Sequence, residues 1–143
     1  MNKRVEIKQH DLSDCGAACL ASIAEFYNLS LPLSRIRQYA NTNKRGTTLL
    51  GLREAASKIG FTAKGVKVAH DSLPEVPLPA IAHVTIKVDQ HEVPHYMVLY
   101  KVTKKSVTLM DPTIGKLQRI PITKFNPSFT GILLIMCFNC FLD

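Results

Sequence analysis

The spacing of hydrophobic positions along the chain changes at Gly60. Ahead of it, apolar residues recur at intervals of three and four, which gathers them on one side of a helix. The first such stretch runs from Cys15 to Tyr27, with Leu20, Ile23, Ala24 and Tyr27 as its stripe and Asn28 as its stop. A second helix is predicted over Leu31 to Ala40, with Pro32 near its start and Ile36, Tyr39 and Ala40 as its apolar side. The polar segment Asn41 to Gly46 reads as a loop. The third helix is the clearest. Thr47 or Thr48 caps it, Leu52, Ala55, Ala56 and Ile59 form its stripe, Glu54 and Lys58 pair one turn apart, and Gly60 ends it.

Beyond Gly60 the period becomes two. Strands are predicted over Phe61 to Val68, Ala80 to Val88, His95 to Val102, Ser106 to Met110, Leu117 to Ile122 and Thr130 to Phe138. A loop punctuated by Pro74, Pro77 and Pro79 precedes the second of them. Helices first and strands afterwards, without alternation, imply an α+β fold with a mostly antiparallel sheet. No linker composition separates the halves, so they should pack as one unit.

Composition narrows the function classes. A chain of 143 residues with 46% hydrophobic and 20% charged residues is that of an ordinary globular protein. Its 18 basic against 11 acidic residues, a formal charge of +7, suit nucleic acid, an anionic membrane surface or an acidic peptide. The lysines and arginines are scattered, however, and there is no Trp and no nucleic-acid motif, so RNA and DNA are poor candidates. The N-terminus MNKRVEIKQHD lacks the apolar core of a signal peptide, and the longest apolar run, Gly131 to Phe138, is too short to span a bilayer. A soluble, cytoplasmic chain is expected. Its four cysteines form two close pairs, Cys15 with Cys19 and Cys137 with Cys140. A chain this long and apolar needs no disulfide scaffold, so reduced thiols are expected.

The candidate chemistry centres on Gln9 to Leu20, QHDLSDCGAACL. Cys15 stands where a helix starts, beside small residues that allow a ligand to approach. Free backbone N–H groups and the positive end of the helix dipole favour a thiolate there. They can also hold an oxyanion, and the side-chain amide of Gln9 could add a second donor. A thiol nucleophile needs a base, and the base needs an orienting group. Of the five histidines, His95 opens the apolar strand HYMVLY, while His91 lies in the polar loop VDQHEVP before it. Asp111 ends the next strand, VTLMDP. A hairpin through Thr103, Lys104 and Lys105 would make His95 and Asp111 near-opposite, so that the carboxylate could fix the imidazole tautomer. Each residue alone also has a plainer reading: a buried small hydrophobe, a surface histidine at a strand start, and an Asp-Pro turn.

Taken together, Gln9-x5-Cys15-Gly16-x-Ala18-Cys19-Leu20, Pro94-His95-Tyr96 and Asp111-Pro112-x-x-Gly115 closely resemble the double-glycine leader peptidases. These are the N-terminal cysteine-protease domains of bacterial ABC transporters that export bacteriocins and peptide pheromones. The resemblance runs from about Val5 to Met136 and includes the helix GTTLLGLREAASKIGF. It implies a papain-like domain over residues 1–136, with 137–143 as a tail of unclear role. It further implies cleavage of a precursor after Gly-Gly, Gly-Ala or Gly-Ser. Carried over, Cys15 is the nucleophile, His95 the base and acid, Asp111 the orienting carboxylate and Gln9 the oxyanion donor. The implied partners are an amphipathic double-glycine leader and the transmembrane and ATPase domains of a parent transporter, at the inner face of the membrane. No metal or other cofactor is required.

Two features depart from the family. The tail CFNCFLD does not match its sequences, and Cys137-x-x-Cys140 ends a strand instead of starting a helix, which argues against a thioredoxin-type role. A zinc site of Cys15, Cys19, Cys137 and Cys140 would consume the nucleophile. Cys19, one helical turn after Cys15, suits packing. The rival function is a non-catalytic docking domain for the exported peptide, and a third is an amidase or acyltransferase on the same fold.

Overall fold

The structure, a computed structural model, describes residues 4–8, 12–43 and 46–138. A single 3-10 turn, Leu12–Asp14, leads into helix α1, Cys15–Phe26; α2 is Leu33–Ala40 and α3 is Leu49–Lys58. Each helix ends where local chemistry says it should. Asn28 and Asn41 take left-handed φ values of 67° and 55°, and Gly60 takes 105°, conformations that amides and glycine adopt most readily. Thr48 caps α3 by accepting the Gly51 N–H at 3.0 Å. Helix α2 starts two residues later than its apolar pattern suggests, because Pro32 is extended and serves as the N-cap.

Six strands follow: β1 Phe61–Lys67, β2 Ala80–Val88, β3 His91–Val102, β4 Ser106–Asp111, β5 Lys116–Pro121 and β6 Phe129–Phe138. They form one sheet in the order β1-β6-β2-β3-β4-β5, with each neighbouring pair antiparallel. The α+β expectation holds. Between β1 and β2 the proline-rich stretch contains a 3-10 helix, His70–Glu75, and a short helix α4, Ile122–Phe125, precedes β6; neither has enough length to show a period.

Strand β3 begins four residues earlier than its apolar run. Asp89 and Gln90 both have positive φ, the mark of a two-residue hairpin turn, so VDQHEVP is a tight connection and not a loop. His91 therefore starts the strand, and His95 lies well inside it, opposite Val84 of β2.

The sheet has a core on each side. On one, α1, α2 and α3 pack Leu20, Ile23, Ile36, Leu52 and Ala55 against Ile81, Val98, Met110 and Leu134. On the other, Leu73, Phe125 and Phe129 cover Val84, Leu99, Leu109 and Leu133. Helix α1 is not the one-sided amphipathic helix its stripe suggests, since every residue from Cys15 to Ala24 is buried. Its Gly and Ala residues leave no bulk to hold neighbours off, so α2, α3 and β3 all close on it.

Candidate active site

Cys15 is the first residue of α1 and a free, buried thiol. Packing fixes the backbone that carries it. A β-carbon on Gly16 would lie 3.3 Å from both Leu52 methyl carbons and 3.3 Å from Tyr96 Cδ2, so the start of α1 is wedged between α3 and β3. Beside the thiol lies a pocket of about 380 Å³, walled by Asn43, Thr47, Thr48, His83, Pro94 and Tyr96. The preceding residue, Asp14, is fully buried and approaches Arg37 Nε at 3.0 Å. Neither carboxylate oxygen of Asp14 has hydrogen-bond alignment with a partner, so the tie to α2 is an ion pair.

His95, 2% exposed, meets Asp111 across the β3–β4 pair, with Nε2 2.9 Å from Oδ1. Its partner is diagonal instead of near-opposite. Val98 pairs with Met110 and Leu99 with Leu109, and the register shifts at Tyr100 before Lys101 pairs with Thr108. Continued outward from Val98, this register sets Asp111 across from Met97 and Thr113 across from His95. Diagonal neighbours on one side of a sheet remain within reach of long side chains. The offset comes from the turn, which is centred between Lys104 and Lys105, and from the bulge at Tyr100.

Thr113 is the residue that sequence reasoning missed. Its backbone N–H donates to Asp111 Oδ1 at 2.9 Å, and its hydroxyl lies 3.2 Å from His95 Nε2. A carboxylate accepting the N–H two residues on is the Asx turn, so the triplet Asp111-Pro112-Thr113 carried a signal for the backbone bond.

The electrostatics follow from these contacts. Burial works against charge on His95, but hydrogen bonds with Asp111 and Cys15 outweigh it and raise the imidazole pKa to about 9. Burial likewise works against the Asp111 carboxylate, and the bonds from His95 and Thr113 overcome it, holding its pKa below the ordinary value. With Nε2 engaged by the carboxylate, Nδ1 is the ring nitrogen left to serve the sulfur. Burial, then the nearby Cys15 and Asp111 charges, push the Cys19 pKa well up, so this thiol stays protonated and packs as a hydrophobe.

The other histidines do not join this arrangement. His83 is kept neutral by burial; its Nδ1–H donates to Thr130 Oγ1 at 2.9 Å, while the Thr130 hydroxyl donates back to the His83 carbonyl at 2.9 Å. His70 Nε2 lies 3.0 Å from the Phe129 carbonyl, on the far side of the sheet, and His91 is exposed at the start of β3. Gln9, His10 and Cys140 lie outside the described residues. Cys137 is disulfide-bonded, against the expectation of reduced thiols. Chain length and hydrophobicity speak to whether a fold needs a disulfide scaffold, not to whether one local thiol is oxidised. The same bond removes Cys137 from any four-cysteine zinc site, and no metal-like cluster of three or more His, Cys, Asp or Glu occurs among the described residues.

A thiol at a helix start, an imidazole raised by a carboxylate, and a pocket beside them can perform nucleophilic acyl transfer. Against known proteins, the model of the Peptidase C39 family matches residues 3–139. The chain belongs to that family. It is a cysteine peptidase domain with the papain-like fold. This C39 domain is 37% identical over 132 residues to the pediocin PA-1 transport/processing ATP-binding protein PedD of Pediococcus acidilactici, covering 90% of this chain and 18% of that one. It is 35% identical over 130 residues to the lactococcin-G-processing and transport ATP-binding protein LagD of Lactococcus lactis subsp. lactis, again 90% of this chain and 18% of that one. The chain thus spans about a fifth of the length of these relatives. Its fold superimposes with a TM-score of 0.84, at 31% identity, on the peptidase domain of Streptococcus ComA, a bifunctional ABC transporter involved in quorum sensing, covering 96% of this chain and 100% of that one. The double-glycine-motif protease of an AMS/PCAT transporter, solved with its leader peptide, gives a TM-score of 0.82 at 30% identity, covering 94% and 92%. Among the described residues no helix is long and apolar enough to cross a membrane.

Proposed function

We propose that this C39 domain removes the leader of a bacteriocin or pheromone precursor, cleaving after a Gly-Gly, Gly-Ala or Gly-Ser pair, in step with export by an ABC transporter. The observation that carries the reading is His95, held by Asp111 on one ring nitrogen and hydrogen-bonded to Cys15. In this mechanism the Cys15 sulfur, as its thiolate, attacks the carbonyl carbon after the second small residue. The oxyanion is held by the Cys15 backbone N–H at the start of α1 and by the Gln9 side chain. His95, charged at neutral pH, gives its proton to the leaving amine and then activates water to hydrolyse the thioester. Asp111 keeps the ring in the orientation that serves both steps, with its carboxylate steadied by Thr113.

The partners follow from the same reading. An amphipathic leader helix carrying acidic residues suits a chain of formal charge +7 and would bind as a helix in a groove. A cleft too narrow for side chains at the two residues before the cut would select glycine, alanine and serine. Transmembrane and ATPase domains of a parent transporter would hold the domain at the inner face of the membrane.

The test is incubation of the 143-residue chain with a synthetic double-glycine precursor, followed by mass spectrometry. One cut after the glycine pair, lost in Cys15→Ala, is expected. Binding of the leader with no cut would replace the peptidase reading by a docking role.

A further inference from the structure

Asp14 occupies the N-cap of α1, the place where an aspartate ordinarily bends its carboxylate over to accept an N–H from the first turn. Here it makes no such bond. A capping aspartate is typically extended, whereas Asp14 closes the turn Leu12–Asp14 with φ −94° and ψ 2°, so the turn runs straight on into the helix. Its carboxylate instead meets Arg37 Nε of α2 at 3.0 Å, fully buried while the Arg37 side chain stays 38% exposed. Neither oxygen finds an aligned donor among the described residues, and a buried carboxylate with one off-line cation is a weak source of stability. The Arg37 end is firm. Its carbonyl accepts the Thr42 N–H at 3.0 Å, and the Thr42 hydroxyl pairs with that of Thr47, a wall of the pocket beside Cys15. The Cys15 N–H belongs to the planar peptide that joins Asp14 to Cys15, so rotation about the Cα–C bond of Asp14 turns that N–H. Rotating ψ to the extended value of a capping aspartate would set the carboxylate over the first-turn N–H groups and redirect the Cys15 N–H in one motion.

We propose that Arg37 is a positioning residue for the oxyanion side of the site: it holds the Asp14 carboxylate away from the start of α1 and so keeps the Cys15 N–H for the substrate. The inference rests on the reading of the Cys15 N–H as an oxyanion donor. Without the Arg37 cation, the Asp14 carboxylate turns to the donors next to it, those of the α1 N-terminus, which attract anions. A fixed negative charge then stands where the oxyanion must form. The transition state loses more by this than the bound substrate does, because only the transition state carries the competing charge.

The experiment compares wild type with Arg37→Ala, Arg37→Lys, Asp14→Ala and the double variant Asp14→Ala/Arg37→Ala in the 143-residue chain. Three quantities are read well below the lowest melting temperature of the set, so that loss of fold does not enter: kcat and KM for a double-glycine peptide, and inhibition by the matching peptide aldehyde. Arg37→Ala should lose kcat by roughly tenfold or more and bind the aldehyde more weakly by a similar factor, since both depend on the oxyanion donor. KM should stay within about twofold of wild type, because what is lost belongs to the transition state. Arg37→Lys, which keeps the cation, should recover most of kcat. The double variant should be more active than Arg37→Ala and match Asp14→Ala, because the competing carboxylate is gone. A crystal structure of Arg37→Ala should show an Asp14 carboxylate oxygen within hydrogen-bond reach of the Gly16 or Ala17 N–H. If Arg37→Ala does not fold, Arg37→Gln, which keeps the bulk and drops the charge, takes its place with the same expectations. A wild-type kcat in Arg37→Ala, a double variant no more active than Arg37→Ala, or a loss that falls on KM instead of kcat would overturn the proposal. If wild type does not cleave, the peptidase reading itself fails; a wild type that cleaves while Arg37→Ala matches it refutes only the role of Arg37.

Discussion

The start of α1, which carries Cys15, is held in place by carbon; the His95 ring is held by hydrogen-bonding groups. Cys15 opens a helix whose first ten residues are buried, and the next residue, Gly16, is pressed between Leu52 of α3 and Tyr96 of β3. The imidazole sits on the open end of a strand pair, tied to Asp111 and Thr113, and Asp111 keeps 19% of its side chain in solvent. A backbone placed by packing is displaced by a change of volume, whereas a side chain placed by charge-assisted bonds is displaced by a change of protonation. The acyl-transfer chemistry uses both, because the nucleophile must keep a fixed position while the base must change its proton count during the cycle.

The comparison can be broken by removing either partner outright. Cys15→Ala should abolish cleavage, a loss of about a thousandfold or more by analogy with nucleophile deletions elsewhere, and should hardly change the melting temperature, because the β-carbon and the helix packing remain. Mass spectrometry of the product and calorimetry check both halves. Asp111→Asn should come next, lowering kcat by about a hundredfold and freeing His95 to lose its proton earlier.

That variant also sharpens the pH contrast. The His95 pKa of about 9 lies above its ordinary value of 6.5, so its contribution to stability is complete below about pH 6.5 and is lost as pH rises toward 9. Asp111 is depressed, so its contribution is present above the ordinary carboxylate range and is lost as pH falls through its lowered pKa. The melting temperature should therefore be highest in mildly acidic solution and fall between about pH 6.5 and 9, and Asp111→Asn should flatten that fall.

Gly16→Val probes the packed side. Its added carbons meet Leu52 and Tyr96 with no free space, so stability should drop by about 1–3 kcal/mol in chemical denaturation, with the pH profile of the folded fraction unmoved. Thr113→Val should be the mildest. It removes the hydroxyl but keeps the N–H bond to Asp111, so kcat should fall a few-fold and the pH at which His95 loses its proton should shift slightly down.

Much of this was legible in residue order. The strand ends near Asp111 follow from Pro112, the cap at Thr48 from its hydroxyl, the stop at Gly60 from its lack of a β-carbon, and the switch of period at Gly60 from the change from helical to strand spacing of apolar residues. Thr113 was half legible, through the Asx turn. The full burial of α1 was not, because a stripe of Leu20, Ile23 and Ala24 reads the same whether the remaining alanines face solvent or a third helix. His95 reads as a strand start because its flank is polar, whereas two positive φ values at Asp89 and Gln90 fold that flank into the sheet.

The sequence by itself determined the kinds of element, where they stop, and which side chains have the chemistry of a thiol peptidase, since periodicity, caps and residue type are properties of neighbours in the chain. The tertiary structure alone decided the diagonal register of His95 and Asp111, the ion pair of Asp14 with Arg37 and the passage of Lys8 over Gly115. Those depend on a bulge, a buried charge and a missing β-carbon meeting residues far away in the chain. Such distances are fixed only when the whole core closes.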